Sequence, residues 1–230
     1  DLVLNREIGQ TRAELILDYI EAMGVKTINS SASTTLCNNK ILSTQILEQK
    51  GIPVPVTKIA FSQSMALEAA GEIGYPIVIK PVWGSWGRLV SKISSGEDLE
   101  AIMDHKEGLG GPQHSIFYIQ QYIKKPDRDI RVFVIGGEPI AAMYRSSTHW
   151  LTNTAKGGIP QKLDLNKEII DLCKHIVEVL GVEMAGVDLV EHDNKYLVFE
   201  VNTTPEFHGL NDVSDVNIAE SMVEYITRLH

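Results

Sequence analysis

Apolar residues recur at helical spacing between Thr11 and Met23, at Leu15, Ile16, Tyr19, Ile20 and Met23, and Gly24 follows, which predicts a helix ending there. Before it, residues Asp1–Asn5 read as the end of a buried strand, and Val25–Asn29 as a second short strand. Strand, helix, strand in this order is a βαβ unit. A parallel sheet of two strands is too small to stand alone, so an N-terminal part of this unit is expected to be missing from the chain as given. A helix is predicted from Asn38 to about Gln49, and Gly51–Pro55, with two prolines, reads as a stiff linker and a domain boundary.

Past the linker the pattern changes. Helices are expected around Ser64–Ile73, Ser95–His105 and Lys167–Leu180, the last closed by Gly181, with a final helix over about Ala219–Leu229. Strands are expected at Ile77–Pro81, after a turn at Gly74–Pro76, and at Ser115–Ile123. Ile130–Ile135 and Pro139–Tyr144 form a hairpin around Gly136 and Gly137, and Met184–Glu191 with Lys195–Asn202 form another around Asp193 and Asn194. Antiparallel pairs with helices between them make this half α+β rather than a doubly wound parallel sheet, within an overall α/β class. The expected division is residues 1–50 as a partial N-terminal domain and connector and 51–230 as the main domain, split into subdomains of about 51–123 and 124–230.

Composition narrows the class. Hydrophobic residues make up 43% and charged ones 22%, which suits a folded chain with ample core rather than disorder. Cys37 and Cys173 lie in no CxxC or zinc-like spacing and read as packed thiols in a reducing compartment. No apolar run approaches the ~20 residues of a membrane span, and no signal peptide is visible, so a cytoplasmic protein without a membrane partner is expected. The net charge of −9, from 21 basic against 30 acidic residues, argues against nucleic acid as a partner.

Three groups of residues carry candidate chemistry. In the last hairpin, side chains alternate with period two, so Glu200 and Asn202 share a face. A turn centred on Asp193 and Asn194 places Asp188 opposite 199 or 200. Two carboxylates and an amide oxygen then converge among apolar neighbours, a hard-oxygen set suited to magnesium held jointly with phosphates; solvated acids on an exposed hairpin are the alternative. The second group is the loop Gly84, Ser85, Trp86, Gly87, Arg88, which follows a strand carrying Lys80. It is no Walker A sequence; its glycines let backbone amides approach phosphate, or it is simply a tight turn. Lys80, inside an apolar strand, calls for an anion, carboxylate or phosphate. The third group is basic and amide residues between Lys124 and Gly158. Arg131 and Arg145 lie on adjacent strands and either clamp an anion or form surface ion pairs with Asp127 and Asp129.

Lys40, Lys80, the loop 84–88, residues 120–123, Arg128–Arg131, Asn153 and the set Asp188, Glu200, Asn202 together resemble the ATP-grasp superfamily, of the RimK-like ligase type, along nearly the whole chain. The resemblance implies an ATP-grasp fold and an ATP- and Mg2+-dependent, amide-forming ligase. It implies that Lys40 and Lys80 contact ATP phosphates while Gly84, Ser85, Trp86, Gly87 and Arg88 close over them. Gln121, Tyr122 and Ile123 would line the adenine, with Asp129 also on the nucleotide side. Asp188, Glu200 and Asn202 would hold magnesium; Arg145, Asn153 and Arg131 would face the transferred phosphoryl group. Thr154, Thr203, Glu206, Phe207, Gly209 and Leu210 would form the substrate pocket.

Segments 105–111, 117–120 and 144–158 resemble the branch of the family that joins α-aminoadipate to the carrier protein LysW in lysine biosynthesis, with a sister branch that uses glutamate for arginine or ornithine. A homo-oligomer, dimer or tetramer, is also implied. The two branches differ in the pair after Glu206 and Phe207. Gly209 matches the glutamate branch and Leu210 neither, whereas the 149–158 segment matches the aminoadipate branch, so a bifunctional enzyme is in keeping with the sequence. An acidic carrier suits a chain of charge −9 poorly as a whole. Arg88, Lys124, Lys125, Arg128 and Lys156 are therefore the expected local docking patch.

Overall fold

The computed structural model describes residues 1–84, 89–152 and 158–229, leaving aside the side chains of residues 112 and 113. The strands belong to three sheets. β1 (Leu2–Leu4) and β2 (Lys26–Ile28) are parallel and joined through α1 (Gln10–Ala22). β3 (Thr57–Ala60), β4 (Ile77–Lys80), β5 (Ser91–Ile93) and β6 (Phe117–Gln121) form an antiparallel sheet in the order β3-β6-β4-β5. β7 (Arg128–Ile135), β8 (Glu138–Ser146), β9 (Ile159–Leu163), β10 (Met184–His192) and β11 (Lys195–Asn202) form the third, also antiparallel, in the order β11-β10-β7-β8-β9. β5 and β9 are only 3 and 5 residues long, too short to announce themselves as alternating runs.

Where the sequence suggests one helix from Asn38, there are two. α2 (Ser31–Asn38) starts on Ser30, whose hydroxyl accepts the Ser33 amide at 3.2 Å. α3 (Lys40–Gln49) starts on Asn39, whose Oδ1 accepts the amides of Ile41 and Leu42. Residues 31–35 are Ser, Ala, Ser, Thr and Thr, so α2 lacks an apolar stripe and its caps define it.

α1 forms where expected but presents the opposite face. Leu15 (65% exposed), Tyr19 (67%), Ile16 and Met23 face out, and only Ala13 and Leu17 are buried. The acids hold the inner face: Glu14 accepts from Asn38 Nδ2 at 2.9 Å, Asp18 from the Ser31 hydroxyl, and Glu21 from the Ser31 amide and the Thr27 hydroxyl. A hydrogen-bonded polar seam holds the inner side of α1, and its apolar stripe faces away from the described residues.

Alternation organises the five-stranded sheet. On one face Ile130, Val132, Val134, Val187 and Leu189 pack against α6 (Lys167–Leu180) together with Cys37, Leu47 and Ile52. On the other, Phe133, Ile135, Met143 and Met184 pack against α7 (His208–Val213) and α8 (Ile218–Leu229). The four-stranded sheet buries Ile77, Ile79 and Ile119 under α4 (Gln63–Ile73) and α5 (Gly96–Leu109). Asn29, at the end of β2, fixes the N-terminal segment to the C-terminal sheet. Its Nδ2 donates to the carbonyls of Met184 and Thr203, and its Oδ1 accepts the amides of Glu183 and Met184, all at 2.7–2.9 Å. No described helix is long and apolar enough to cross a membrane.

Candidate active site

The chemistry follows from the register of β7, β8, β10 and β11. Asp129 lies directly across from Arg145, Arg131 from Asp188, and Asp188 from Glu200. The ladder shifts between Asp188 and Leu189, and that bulge selects 200 over 199 as the partner of 188. Being two apart along their strands, Asp129 with Arg131 and Glu200 with Asn202 point the same way.

The arginines are neither free clamps nor surface pairs. Arg131 binds Asp188 through Nε and Nη2 (2.5 and 3.0 Å), and Arg145 binds Asp129 through Nε and Nη2 (2.7 and 2.9 Å) while Nη2 also reaches Asp188 at 3.1 Å. All four residues are buried. Burial would raise the Asp188 pKa, but the two guanidiniums outweigh it and hold it below the usual carboxylate range. Burial likewise opposes the charge on Arg145, and Asp188 and Asp129 more than restore it. Thr152, unforeseen in the sequence, donates to Asp129 and accepts from Lys125 Nζ at 2.7 Å. Lys125 is therefore turned inward, and its pKa is lowered, first by desolvation. Within the expected docking patch, Lys125 is thus inside, Arg128 pairs with Glu191 and stacks on Tyr144, and Lys124 is exposed; Arg88 and Lys156 lie outside the described residues.

Two cavities meet at this cluster, and Arg145, Asp188 and Glu200 line both. The first also takes in Lys40, Lys80, Gly84, Gln121, Tyr122, Ile123 and Asp129. Lys40 Nζ donates to the Gly84 carbonyl at 2.7 Å and pairs with Glu200 at 3.0 Å. Gly84 has φ +142°, and an added Cβ would lie 3.3 Å from Pro81. Lys80 Nζ donates to the Gln120 amide oxygen at 2.7 Å and sits 5.0 Å from the Phe199 ring centroid. With an amide rather than an acid as its direct partner, Lys80 is lowered by desolvation to about 8, although Glu200 pulls it upward. Ser85, Trp86, Gly87, Arg88, Asn153 and Thr154 lie outside the described residues.

The second cavity is a cleft between the loop after β1 and the loop after β11. Thr203, Glu206 and Gly209 line it, as do Arg6 and Thr34, which nothing in the sequence had marked. Glu206 is held low: burial opposes its charge, but the amides of His208 and Phe207 outweigh it. Phe207 and Leu210 do not line the cleft. Phe207 packs edge-to-face on Phe133, and Leu210 is fully buried in the same core. The short helix α7 explains this correction: it turns Leu210 and Val213 inward as core residues and leaves Gly209 on the open side.

Among the described residues no three His, Cys, Asp or Glu side chains gather into a metal site. The donor set is the two carboxylates and the amide of Asp188, Glu200 and Asn202. Buried Asn202 Nδ2 has no partner, and amide nitrogen and oxygen positions are interchangeable. An oxygen there would face no donor, as a cation ligand should. These residues fit a hard cation that completes its shell with phosphate oxygens.

Fold and site together define an ATP-grasp ligase. Residues 37–226 match the RimK-like ATP-grasp domain, and the chain belongs to that family. It is 37% identical to the alpha-aminoadipate--LysW ligase LysX of Sulfurisphaera tokodaii, over 98% of this chain and 80% of that protein. It is 36% identical to the glutamate--LysW ligase ArgX of Sulfolobus acidocaldarius, over 98% of this chain and 81% of that one. Among solved structures, the RimK domain ATP-grasp protein of Sphaerobacter thermophilus superposes with a TM-score of 0.82 at 23% identity, covering 97% of this chain and 80% of that one.

Proposed function

We propose that the protein activates the C-terminal glutamate side-chain carboxylate of the carrier protein LysW with ATP and joins it to the α-amine of α-aminoadipate. The observation that carries this reading is the pair of cavities sharing Arg145, Asp188 and Glu200, which lets a phosphoryl donor and an acceptor carboxylate meet over one cluster. A carboxylate oxygen of the carrier attacks the γ-phosphorus, the bond to ADP breaks, and an acyl phosphate forms. The amine then attacks the acyl carbon, loses a proton, and phosphate departs. No side-chain nucleophile is needed, and burial pushes the Cys37 and Cys173 thiols up to about 12, which leaves them inert.

Asp188, Glu200 and Asn202 would hold Mg2+, which supplies Lewis-acid polarisation of phosphate oxygens. Arg131 and Arg145, now resting on Asp188 and Asp129, would balance charge on the transferred group, a task the family resemblance also gives to Asn153. Lys40, Lys80 and Gly84 through Arg88 address the phosphates, and Gln121 to Ile123 the base. Residues 1–50 act as N-terminal domain and connector, with 51–123 and 124–230 as the two lobes that enclose ATP. The ArgX relative and Gly209 favour a second reading, the same reaction with glutamate.

The test is the mass of purified LysW after incubation with the enzyme, ATP and Mg2+, with each amino acid offered separately. An ATP-dependent gain of one aminoadipate residue supports the reading, and a gain with glutamate alone supports the second. Unchanged LysW with both would refute it.

A further inference from the structure

Among the described residues, Thr34 Oγ1 and Asn202 Nδ2 are the buried side-chain polar atoms left without a hydrogen-bond partner, and both residues line the acceptor cleft. Asn202 belongs to the cation set described above, which leaves Thr34 as a buried hydroxyl without a partner behind the wall of this cleft. Arg6 faces the same cleft. Its Nη2 donates to the Pro205 carbonyl at 3.0 Å, and its guanidinium lies 5.3 Å from the Phe207 ring centroid. Asn5, its neighbour, is pinned to Thr204 at 3.4 Å, so the cation is held rather than dangling.

The three guanidiniums of the cleft differ in their partners. Arg131 and Arg145 spend their forks on Asp188 and Asp129. Arg6 makes no salt bridge with any described carboxylate; nearby Glu206 gives its Oε1 to the amides of Phe207 and His208. An exposed guanidinium, anchored through one nitrogen to the Pro205 carbonyl and out of salt-bridge contact with Glu206, keeps a fork free for a further carboxylate. An α-amino dicarboxylic acid has its reacting amine at one end and a second carboxylate three or four carbons away. With the amine at the Asp188 and Glu200 cluster, that carboxylate must reach outward along the cleft. Arg6 stands there, against the loop three residues beyond Asn202.

We propose that Arg6 is the specificity-determining residue of the amino-acid subsite, taking the side-chain carboxylate of the acidic substrate. This rests on the ligase reading above. The claim distinguishes the amino-acid substrate from the carrier, whose terminal residue also bears carboxylates.

The test compares wild type with Arg6→Met and Arg6→Lys in LysW charging, using α-aminoadipate and norleucine, which has the same carbon skeleton with a methyl in place of the far carboxylate. Wild type should prefer aminoadipate at least a hundredfold. Arg6→Met should raise the aminoadipate KM at least thirtyfold, shrink the preference at least tenfold, and leave the LysW KM within twofold. Arg6→Lys, which keeps the charge and loses the fork, should keep the preference with a three- to tenfold higher KM, and it carries the test should Arg6→Met not fold. A preference unchanged in Arg6→Met, or a rise in the LysW KM instead, overturns the assignment. Should wild type charge LysW with neither aminoadipate nor glutamate, the ligase reading fails, and calorimetric binding of aminoadipate in the presence of ADP decides the Arg6 claim separately. A tenfold weaker affinity in Arg6→Met supports it; equal affinity, or no binding to wild type, overturns it.

Discussion

The two cavities meet at the same three residues yet are built in opposite ways. On the nucleotide side the cations are already occupied: Lys40 by Gly84 and Glu200, Lys80 by Gln120, Lys125 by Thr152. On the acceptor side, Arg6 makes no salt bridge with a described carboxylate, Glu206 acting on it only from a distance, and its fork is bound to a single backbone carbonyl. The first is a set of contacts that a polyanion would exchange for better ones. The second is a set of needs that a polar molecule would meet. The difference reflects construction. The nucleotide cavity lies between two sheets, each with its own core, whereas the acceptor cleft forms where the loop after β1 meets the loop after β11, with Arg6 and Pro205 separated by 199 positions.

The largest effect is expected at the shared cluster. Glu200→Gln should lower the ligation rate at least a thousandfold while changing nucleotide affinity without Mg2+ less than threefold, because under the proposed function this carboxylate would serve a cation on the phosphates and not the adenosine. Rate and nucleotide titration together check this. Asp188→Asn should do the same and should also cost about 3–5 kcal/mol in denaturant unfolding, since it strips a buried charge from Arg131 and Arg145.

Next is Gly186, which backs the acceptor cleft. A Cβ at Gly186 would lie 2.7 Å from Arg131 Nη1 and 2.7 Å from Pro205 Cβ. Gly186→Ala must therefore push apart the residues that frame the acceptor cleft. The expected result is a tenfold to hundredfold loss in kcat/KM for the amino acid with ATP KM within threefold, at a stability cost of about 1–3 kcal/mol.

The nucleotide side should carry a pH signature. Desolvation brings the Lys80 pKa from 10.5 to about 8 in the free protein, and bound phosphate, favouring the charged form, must raise it. Binding then takes up a proton above pH 8, so nucleotide affinity falls as pH rises, approaching tenfold per unit between about 8 and 10. In the absence of nucleotide the sign for stability is opposite. The unfolded chain binds the proton more tightly, so this group's contribution to stability rises with pH between about 8 and 10.5. Titrations of ADP from pH 7 to 10 on wild type and Lys80→Arg check this, and the arginine variant should show a flatter slope.

The smallest effects separate Gly209 from its neighbour. The family resemblance implies both 209 and 210 for the substrate pocket, and of the two only Gly209 lines the acceptor cleft. Leu210→Phe should overpack the core by about 1–3 kcal/mol and leave the aminoadipate-to-glutamate ratio of kcat/KM within twofold. Gly209→Ala should shift that ratio severalfold, one methyl being worth about 1–3 kcal/mol of discrimination. A ratio moved by Leu210→Phe and not by Gly209→Ala would reverse the placement.

What the chain discloses follows the same divide. Strand alternation and the turn at Asp193 and Asn194 are local, and they were enough to bring Asp188, Glu200 and Asn202 together. The residue-by-residue partner needed the bulge, which no pattern announces. Lys80 in an apolar strand was legible for the same local reason. Arg6 and Thr34 were not, because a polar residue after a strand or in a Ser/Thr-rich helix carries no period, and their importance arises only when distant loops meet. In α1 the apolar period gave the helix itself, while the hydrogen bonds of Glu14, Asp18 and Glu21 that hold its inner side carry no periodic signal.

The central claim is that a carboxylate of the carrier receives the phosphoryl group before the amine attacks. LysW labelled with 18O in its carboxylates puts this to the test, with the released inorganic phosphate analysed by mass spectrometry after a single turnover. An acyl phosphate requires one carboxylate oxygen to leave with the phosphorus, so each turnover should yield one phosphate bearing a single 18O. Charged LysW accompanied by phosphate free of label would contradict the account.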